Sequence, residues 1–176
     1  LIIMLSFLLP EVYINRFKSS FDIKNNSSNL ARIALWKGSL LMVKDHPING
    51  VGLGNFTNQY ETKYRQPHTG STVHAHNNFL QFAAETGLVG LAAFIFLMYQ
   101  IMRVLHTGWR KIKNLKWSLY LQWAFSAVVV FNIQGLTEFN FGDTEPVHLF
   151  WFMVALCIIV IRNHEENNNI DESISF

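Results

Sequence analysis

The chain has 176 residues, half of them hydrophobic, with 14 Lys or Arg, 12 Asp or Glu, a formal net charge of +2 and one cysteine. This composition excludes a disordered charged tail, a disulfide-stapled secreted module and a zinc ribbon. The small net charge also argues against a nucleic-acid partner. Because the hydrophobic residues lie in long blocks, we predict an all-α, polytopic membrane protein with a large helical external loop.

The first residues form a short apolar block that ends before Pro10. The block is too short to cross a membrane, has no basic region before it and does not begin with Met. We interpret residues 1–14 as the end of a truncated transmembrane helix, and we expect the chain to be the C-terminal part of a longer protein.

Residues 15–86 form a segment far longer than a turn between two helices requires, and loops of that size are usually functional or disordered. Residues 15–29 are rich in Asn and Ser and indicate a linker. Residues 30–44 predict a helix capped by Ser28 or Asn29. Its two faces are both partly apolar, so we expect it to lie against the membrane domain.

Arg32 shares one face of this predicted helix with Trp36, Ser39 and Val43. We expect Arg32 to turn toward a group with which it can pair. Beyond the helix, residues 49–56 contain alternating glycines that superficially resemble a nucleotide-binding loop. Since no buried strand precedes them, we predict a tight turn instead, although its backbone N–H groups could also face an anion.

Residues 68–78 read HTGSTVHAHNN, which places three histidines just before a long apolar block. In an extended segment His74 and His76 point to the same side and could ligate a metal, but no cysteine assists them, and a structural role for His74 is favoured. Asn77 or Asn78 can cap the following helix and so hold His76 at its entrance. An imidazole in that place is a candidate general base, and its alternative is a capping or core histidine.

Three apolar blocks predict transmembrane helices at residues 87–105, 117–136 and 147–161. A helix rises 1.5 Å per residue, so about 20 residues cross a hydrocarbon core of roughly 30 Å. The third block is short and needs residues at the membrane interface to complete its length.

The charges between the blocks predict the orientation in the membrane. Residues 106–116 carry basic residues and no acid, so we expect a cytoplasmic loop. Residues 137–146 carry acids and no Lys or Arg, so we expect a periplasmic turn on the same side as residues 15–86. For residues 162–176 we expect a disordered cytoplasmic tail.

Several of these residues together resemble the C-terminal half of the bacterial O-antigen ligase superfamily. The ligase signature is His, then Asn, Ser or Gln, nine free residues, Gly, two free residues, and Gly, Thr or Tyr; His76, Asn77, Gly87 and Gly90 satisfy it. The wider pattern also includes Arg32, Trp36, His46, Pro47, Gly50, Gly52, Phe56, His74 and Glu85. The loop with Glu138, Asn140, Asp143 and Glu145 is similar to the short external turn of some members.

The resemblance implies a GT-C-like glycosyltransferase of the bacterial inner membrane, with its active site facing the periplasm. It implies a donor glycan on undecaprenyl pyrophosphate, an acceptor hydroxyl on lipid A core, a glycan or a protein, and contact with membrane lipids. Members work without a metal ion, and we expect no cofactor. By the same resemblance, His76 is the catalytic base and Arg32 binds the donor pyrophosphate, with His74, Asn77, Glu85, Gly87 and Gly90 as supporting motif residues.

Two alternatives stay open from the sequence. Arg32 could anchor its helix to lipid headgroups or to an acid such as Glu138. The chain could also belong to a non-catalytic transporter or sensor whose external loop binds an anion.

Overall fold

The computed structural model describes residues 26–67, 69–70 and 74–174, with side chains described up to residue 166. Residues 1–14, the predicted truncated helix, and most of the predicted linker lie outside the described residues. The described part confirms the all-α prediction. Its elements are α1 Ser27–Asp45, α2 Phe56–Gln59, a π-helical turn Tyr60–Tyr64, α3 Asn78–Lys111, α4 Leu115–Gln134 and α5 Thr144–Ile174.

Helices α3, α4 and α5 form a bundle around an apolar core. That core consists of Phe94, Met98, Ile101, Leu105, Ile112, Leu121, Ala124, Val128, Phe150, Val154 and Cys157. Helix α3 packs against both α4 and α5, and α4 also packs against α5. The basic loop between α3 and α4 therefore lies at one end of the bundle, and the acidic loop between α4 and α5 lies at the other.

Two helices of the described chain, Asn78–Lys111 and Thr144–Glu166, are long and apolar enough to cross a membrane. Most of their surface is not buried, and large apolar side chains such as Phe96 and Phe152 are exposed. Exposed apolar surface of this extent is typical of helices that face lipid. The predicted middle span corresponds to α4, which is not one of these two helices.

The boundaries of α3 and α5 differ from the sequence prediction. Helix α3 begins at Asn78, and Gly87, the predicted start of the first span, instead interrupts it with φ of 70° and ψ of −171°. Helix α5 continues to Ile174, whereas we expected disorder after residue 161. The ion pair between Arg162 Nε and Glu166 Oε1, 2.9 Å apart and four residues apart in sequence, supports the extra turns.

Helix α1 is capped by Asn26 rather than by Ser28 or Asn29, because the Asn26 side chain accepts a 3.0 Å hydrogen bond from the Ser28 N–H. Its buried face consists of Ala34, Leu35, Gly38, Ser39 and Met42, and it shares only Ser39 with the predicted face that carries Arg32. This face packs on α3 and on the π-helical turn. The result is a second apolar core, formed by Leu35, Met42, Phe56, Tyr60, Tyr64, Ala75 and Ala84.

The glycine-rich turn after α1 is fastened to α3 at its interruption. The N–H of Val51 donates to the Ala84 carbonyl at 2.8 Å, and the N–H of Leu88 donates to the Pro47 carbonyl at 2.7 Å. A Cβ atom on Gly87 would overlap the Ile48 carbonyl, and one on Gly50, where φ is 65°, would overlap the backbone of Glu85. Both positions therefore need glycine, and the turn predicted for this stretch is confirmed.

Candidate functional site

His76 lies directly before α3 in an uncommon backbone conformation. Its φ is 48°, and it is the sole non-glycine residue with positive φ in the described chain. Such a conformation costs about 1–3 kcal/mol and persists only where its surroundings impose it. The next residue, Asn77, is the N-cap of α3, and its side chain accepts a 2.9 Å hydrogen bond from the Leu80 N–H. Of the two asparagines predicted to cap this helix, Asn77 is therefore confirmed as the N-cap.

The two asparagines after His76 hold the loop between α4 and α5. Asn77 Nδ2 donates to the Leu136 carbonyl at 2.7 Å, and the backbone N–H of Asn78 donates to the Gly135 carbonyl at 2.7 Å. Asn78 Oδ1 then accepts from the backbone N–H of Asn140 at 2.8 Å in a buried contact. These bonds bring the acidic loop to the start of α3, although the two lie about 60 residues apart in sequence.

Glu138, in the middle of that loop, contacts the imidazole of His76. Glu138 Oε1 lies 2.7 Å from His76 Nδ1 and also accepts from the backbone N–H of Phe139 at 3.1 Å. Partial burial raises the pKa of Glu138, but the hydrogen bonds from Phe139 and His76 and the charges of His76 and His74 outweigh it, so the pKa lies below its usual value. An ionised carboxylate only accepts hydrogen bonds, so His76 Nδ1 carries a proton and, in the neutral ring, Nε2 holds the lone pair.

Arg32 reaches the other oxygen of the same carboxylate. Its Nη2 lies 3.9 Å from Glu138 Oε2, at the outer limit of an ion pair, and the two side chains are 38% and 32% exposed. The Nε of Arg32 and the indole Nε1 of Trp36, one turn along α1, are buried and have no hydrogen-bond partner among the described residues. The pairing with Glu138 that the sequence suggests is present, yet it leaves Arg32 Nε without a partner in the described part of the chain.

His74 supports His76 from the preceding residues. Its Nδ1 accepts from the backbone N–H of His76 at 3.3 Å, and the two imidazole rings lie 4.2 Å apart. Burial and the nearby His76 lower the pKa of His74, and together they outweigh the attraction of Glu138 and Asp143. A neutral His74 that braces the next histidine fits the structural role favoured by the sequence.

His74, His76 and Glu138 also form a possible metal-ligand group, with their ligand atoms within 4.8 Å of one another. In a tetrahedral zinc site two such ligand atoms lie roughly 3.3 Å apart, given bonds of about 2.0–2.1 Å. His76 Nδ1 and Glu138 Oε1 are 2.7 Å apart, which is the separation of a charge-assisted hydrogen bond. The donor atoms suit zinc, but their spacing is that of a hydrogen-bonded pair.

The other motif residues form the scaffold behind the site. Glu85 Oε1 accepts a buried 3.2 Å hydrogen bond from the Phe56 N–H and so fastens α2 to α3. Gly87 allows the close approach of the turn at Ile48, and a Cβ atom on Gly90 would overlap the Thr86 side chain. None of these three residues has a described hydrogen bond or ion pair to His76, Glu138 or Arg32.

Three further polar residues shape the site through hydrogen bonds that the sequence did not predict. They are Asn78, Asn140 and Gln81, whose Oε1 accepts from the Ala75 N–H at 2.8 Å. All three are buried. A buried polar side chain needs hydrogen-bond partners. The two adjacent asparagines after the motif histidine were therefore the sequence feature that indicated a hydrogen-bonded contact here.

These contacts define a helical membrane protein with a histidine, a glutamate and an arginine brought together at one end of its bundle. Residues 1–95, more than half of the chain, match the family model described as O-Antigen ligase, and the chain belongs to that family.

The chain is also similar to proteins of Rickettsia named "Putative polysaccharide ligase". It is 29% identical over 89 residues to those of Rickettsia typhi and Rickettsia prowazekii and 26% identical to that of Rickettsia felis. Each match covers 51% of this chain and 19% of the relative, so the chain matches about a fifth of the relatives' length.

Proposed function

We propose that the protein transfers a glycan from undecaprenyl pyrophosphate to an acceptor hydroxyl at the outer face of the bacterial inner membrane, by a metal-independent inverting displacement. The observation that carries this proposal is the meeting of His76 and Arg32 on one carboxylate, that of Glu138. A base and a permanent cation then lie beside the same carboxylate, and this reaction needs both. Membership of the O-antigen ligase family supports the glycan donor and acceptor as the substrate class.

In the proposed reaction the acceptor oxygen attacks the anomeric carbon of the donor sugar. His76 Nε2 takes the hydroxyl proton as the new C–O bond forms. The bond from the anomeric carbon to the pyrophosphate oxygen breaks, and the leaving group departs with the electron pair. Arg32 stabilises that charge, since a guanidinium offers a fork of donors that matches phosphate oxygens. The single displacement inverts the anomeric centre and needs no covalent intermediate on the enzyme.

The charge distribution supports an active site on the outer face. The His76 site lies at the end of the bundle that carries the acidic α4–α5 loop, while the basic loop between α3 and α4 lies at the opposite end. Lys and Arg in short loops are retained on the cytoplasmic side. A comparison of lipid A core, a growing glycan and a protein as acceptors in the same assay identifies the acceptor class.

The test uses the full protein that carries this chain, reconstituted in lipid nanodiscs with an undecaprenyl-pyrophosphate glycan. For His76→Ala we expect transfer to fall by about 10²–10⁴-fold, the usual contribution of a positioned base. For Arg32→Ala we expect a loss of about 10²–10³-fold with a raised KM for the donor. Lys37→Ala removes an exposed cation from the same helix and is the matched control, for which we expect wild-type transfer.

The same assay separates the proposal from its alternatives. Wild-type transfer by His76→Ala would end the role of His76 as the base. Donor binding without transfer by the wild-type protein would favour a transporter or sensor. Transfer that EDTA abolishes and zinc restores would replace the metal-independent mechanism by one at the His74, His76 and Glu138 group.

A further inference from the structure

We propose that Glu138 is a positioning residue for this reaction: one oxygen fixes the tautomer of His76, and the other holds Arg32 until the donor diphosphate takes its place. This inference rests on the proposed function. It assigns a role to an acid that lies 62 residues from the motif histidine and outside the ligase signature.

The first step of the argument concerns the proton on the imidazole. A neutral imidazole carries one N–H, and the nitrogen that bears it is decided by the partner of that nitrogen. His76 Nδ1 faces Glu138 Oε1 at 2.7 Å, and that oxygen is also held by the Phe139 N–H at 3.1 Å. The carboxylate therefore keeps Nδ1 protonated and leaves the lone pair on Nε2. If the lone pair were on Nδ1, it would point at Glu138 and could not take a proton from the acceptor hydroxyl.

The second step concerns the rigidity of the carboxylate. The loop that carries Glu138 is fixed to the N-terminus of α3 by Asn77, Asn78 and Asn140, so the acid and the histidine belong to one hydrogen-bonded unit. His76 itself is held with φ of 48°. A pair of side chains on rigid supports loses little entropy when it adopts the reactive geometry. In the described chain Arg32 and His74 act on this pair, and Asp143 acts on His74.

The third step concerns Arg32. The 3.9 Å separation from Glu138 Oε2 and the partial exposure of both side chains mark a weak ion pair, which costs little to break. A diphosphate presents more charge and more acceptor oxygens than one carboxylate, and no described residue accepts a hydrogen bond from the buried Nε of Arg32. In the absence of donor, Glu138 keeps the guanidinium beside the base. When the diphosphate binds, Arg32 exchanges partners while Glu138 stays on His76.

The experiment compares Glu138→Ala, Glu138→Gln and Glu145→Gln in the full protein in nanodiscs. For Glu138→Ala we expect kcat to fall by about 10²–10⁴-fold with the acceptor KM within about threefold of wild type, as when a catalytic histidine takes the wrong tautomer. Glu138→Gln keeps an acceptor oxygen that the Phe139 N–H orients but loses the charge, so we expect an intermediate loss of about 10–10²-fold. Glu145→Gln removes an exposed acid that follows the same loop, and we expect wild-type kinetics.

Nitrogen-15 NMR of labelled histidine supplies a readout that a purely structural role would not change. The His76 signal, identified by its loss in His76→Ala, is expected to show the proton on Nδ1 in the wild type and on Nε2 in Glu138→Ala. Should Glu138→Ala fail to fold, Glu138→Gln and the wild-type spectrum decide the matter. Wild-type kcat in a folded Glu138 variant, or a wild-type His76 protonated on Nε2, would overturn this inference while an inactive His76→Ala leaves the proposed function standing. An active His76→Ala would instead remove the proposed function itself.

Discussion

The two ends of α3 are built in different ways. From Phe94 to Leu105 the helix packs through apolar side chains against α4 and α5, and exposed apolar residues cover its other faces. From Asn78 to Gly87 it is fixed by asparagine hydrogen bonds, a backbone interruption and close approaches that exclude a Cβ atom. Apolar packing tolerates a change of shape better than a polar network tolerates the loss of a partner. The bundle therefore supplies a support, and the polar end supplies a fixed geometry.

The largest effect expected from a single methyl group is at Gly87. Gly87→Ala adds a Cβ atom against the Ile48 carbonyl at a residue whose φ is 70°, so we expect a loss of more than about 4 kcal/mol or no folded protein. Gly70→Ala is the control, because a Cβ atom there meets no atom of the described residues within 4 Å. Size-exclusion chromatography and thermal unfolding of both variants in detergent give the comparison. A Gly87→Ala protein as stable as Gly70→Ala would contradict the close approach of the turn to α3.

A cavity in the bundle core tests the tolerance of the apolar region. Leu121 is fully buried, and Leu121→Ala should destabilise the protein by about 2–5 kcal/mol through lost packing. We expect transfer per folded molecule to stay within about threefold of wild type at a temperature well below unfolding, since Leu121 has no described contact with the site. Leu121→Met conserves the volume and should cost less than about 1.5 kcal/mol. A folded Leu121→Ala protein without activity would show that the bundle does more than support the site.

The polar end is expected to show the reverse relation between stability and activity. Asn78→Ala removes the acceptor of the buried Asn140 N–H and should cost about 1–3 kcal/mol. Because the loop that carries Glu138 is then released, we expect transfer to fall by at least about tenfold in molecules that remain folded. Asn58→Ala, at an exposed asparagine, is the control for both readouts. Equal activities for the two variants would indicate that the loop keeps its position without Asn78.

The pH dependence of stability should originate beside this polar end, at His74 and Glu138. The pKa of His74 is lowered from 6.5, so the unfolded chain binds more protons, and stability is lost as pH falls from near 6.5 through the lowered value. The pKa of Glu138 is lowered from 4.5, which adds a loss of the same sign at more acid pH. Thermal unfolding is measured from about pH 8 to about pH 4. His74→Gln should reduce the loss of stability that begins near pH 6.5 and leave the loss at more acid pH unchanged. His148→Gln, at an exposed histidine, should leave the slope unchanged; an equal flattening there would refute the assignment to His74.

The smallest effect is expected at an exposed ion pair in the segment that precedes α3. Arg65 Nη1 lies 3.1 Å from Glu61 Oε2, four residues away, and the Arg65 side chain is 51% exposed. Arg65→Ala should cost less than about 1 kcal/mol and leave transfer within about twofold of wild type. A donor KM measurement makes the contrast with Arg32→Ala. A large rise in KM for Arg65→Ala would extend the anion-binding surface beyond Arg32.

The local patterns of the sequence were sufficient for most of the fold. Apolar blocks predicted the helices of the bundle, the stretch from residue 30 to residue 44 predicted α1, and the glycines after Pro47 predicted a turn. The interruption at Gly87 was missed because the residues on both sides are helical in pattern, and only the approach of residue 48 shows why glycine is needed there. The helical continuation after residue 161 was missed because polar, acidic composition does not by itself distinguish a solvated helix from disorder.

The candidate site was predictable in part. His76, Asn77 and Arg32 came from a motif and a resemblance, and the acid considered for Arg32 was Glu138. The contact of Glu138 with His76 was not predicted, because periodicity reports neighbours on one element and not pairings between elements far apart in sequence. The roles of Asn78 and Asn140 were missed for the same reason.

The 62-residue separation between His76 and Glu138 has a consequence for reading related genes. A frameshift or stop codon inside α4 would delete the acid and its loop yet leave the entire histidine signature in the product. A motif search would count such a reading frame as an intact ligase. Loss of transfer in a folded Glu138→Ala protein would therefore be the ground for requiring an acid in the loop between α4 and α5 before a locus is scored as functional.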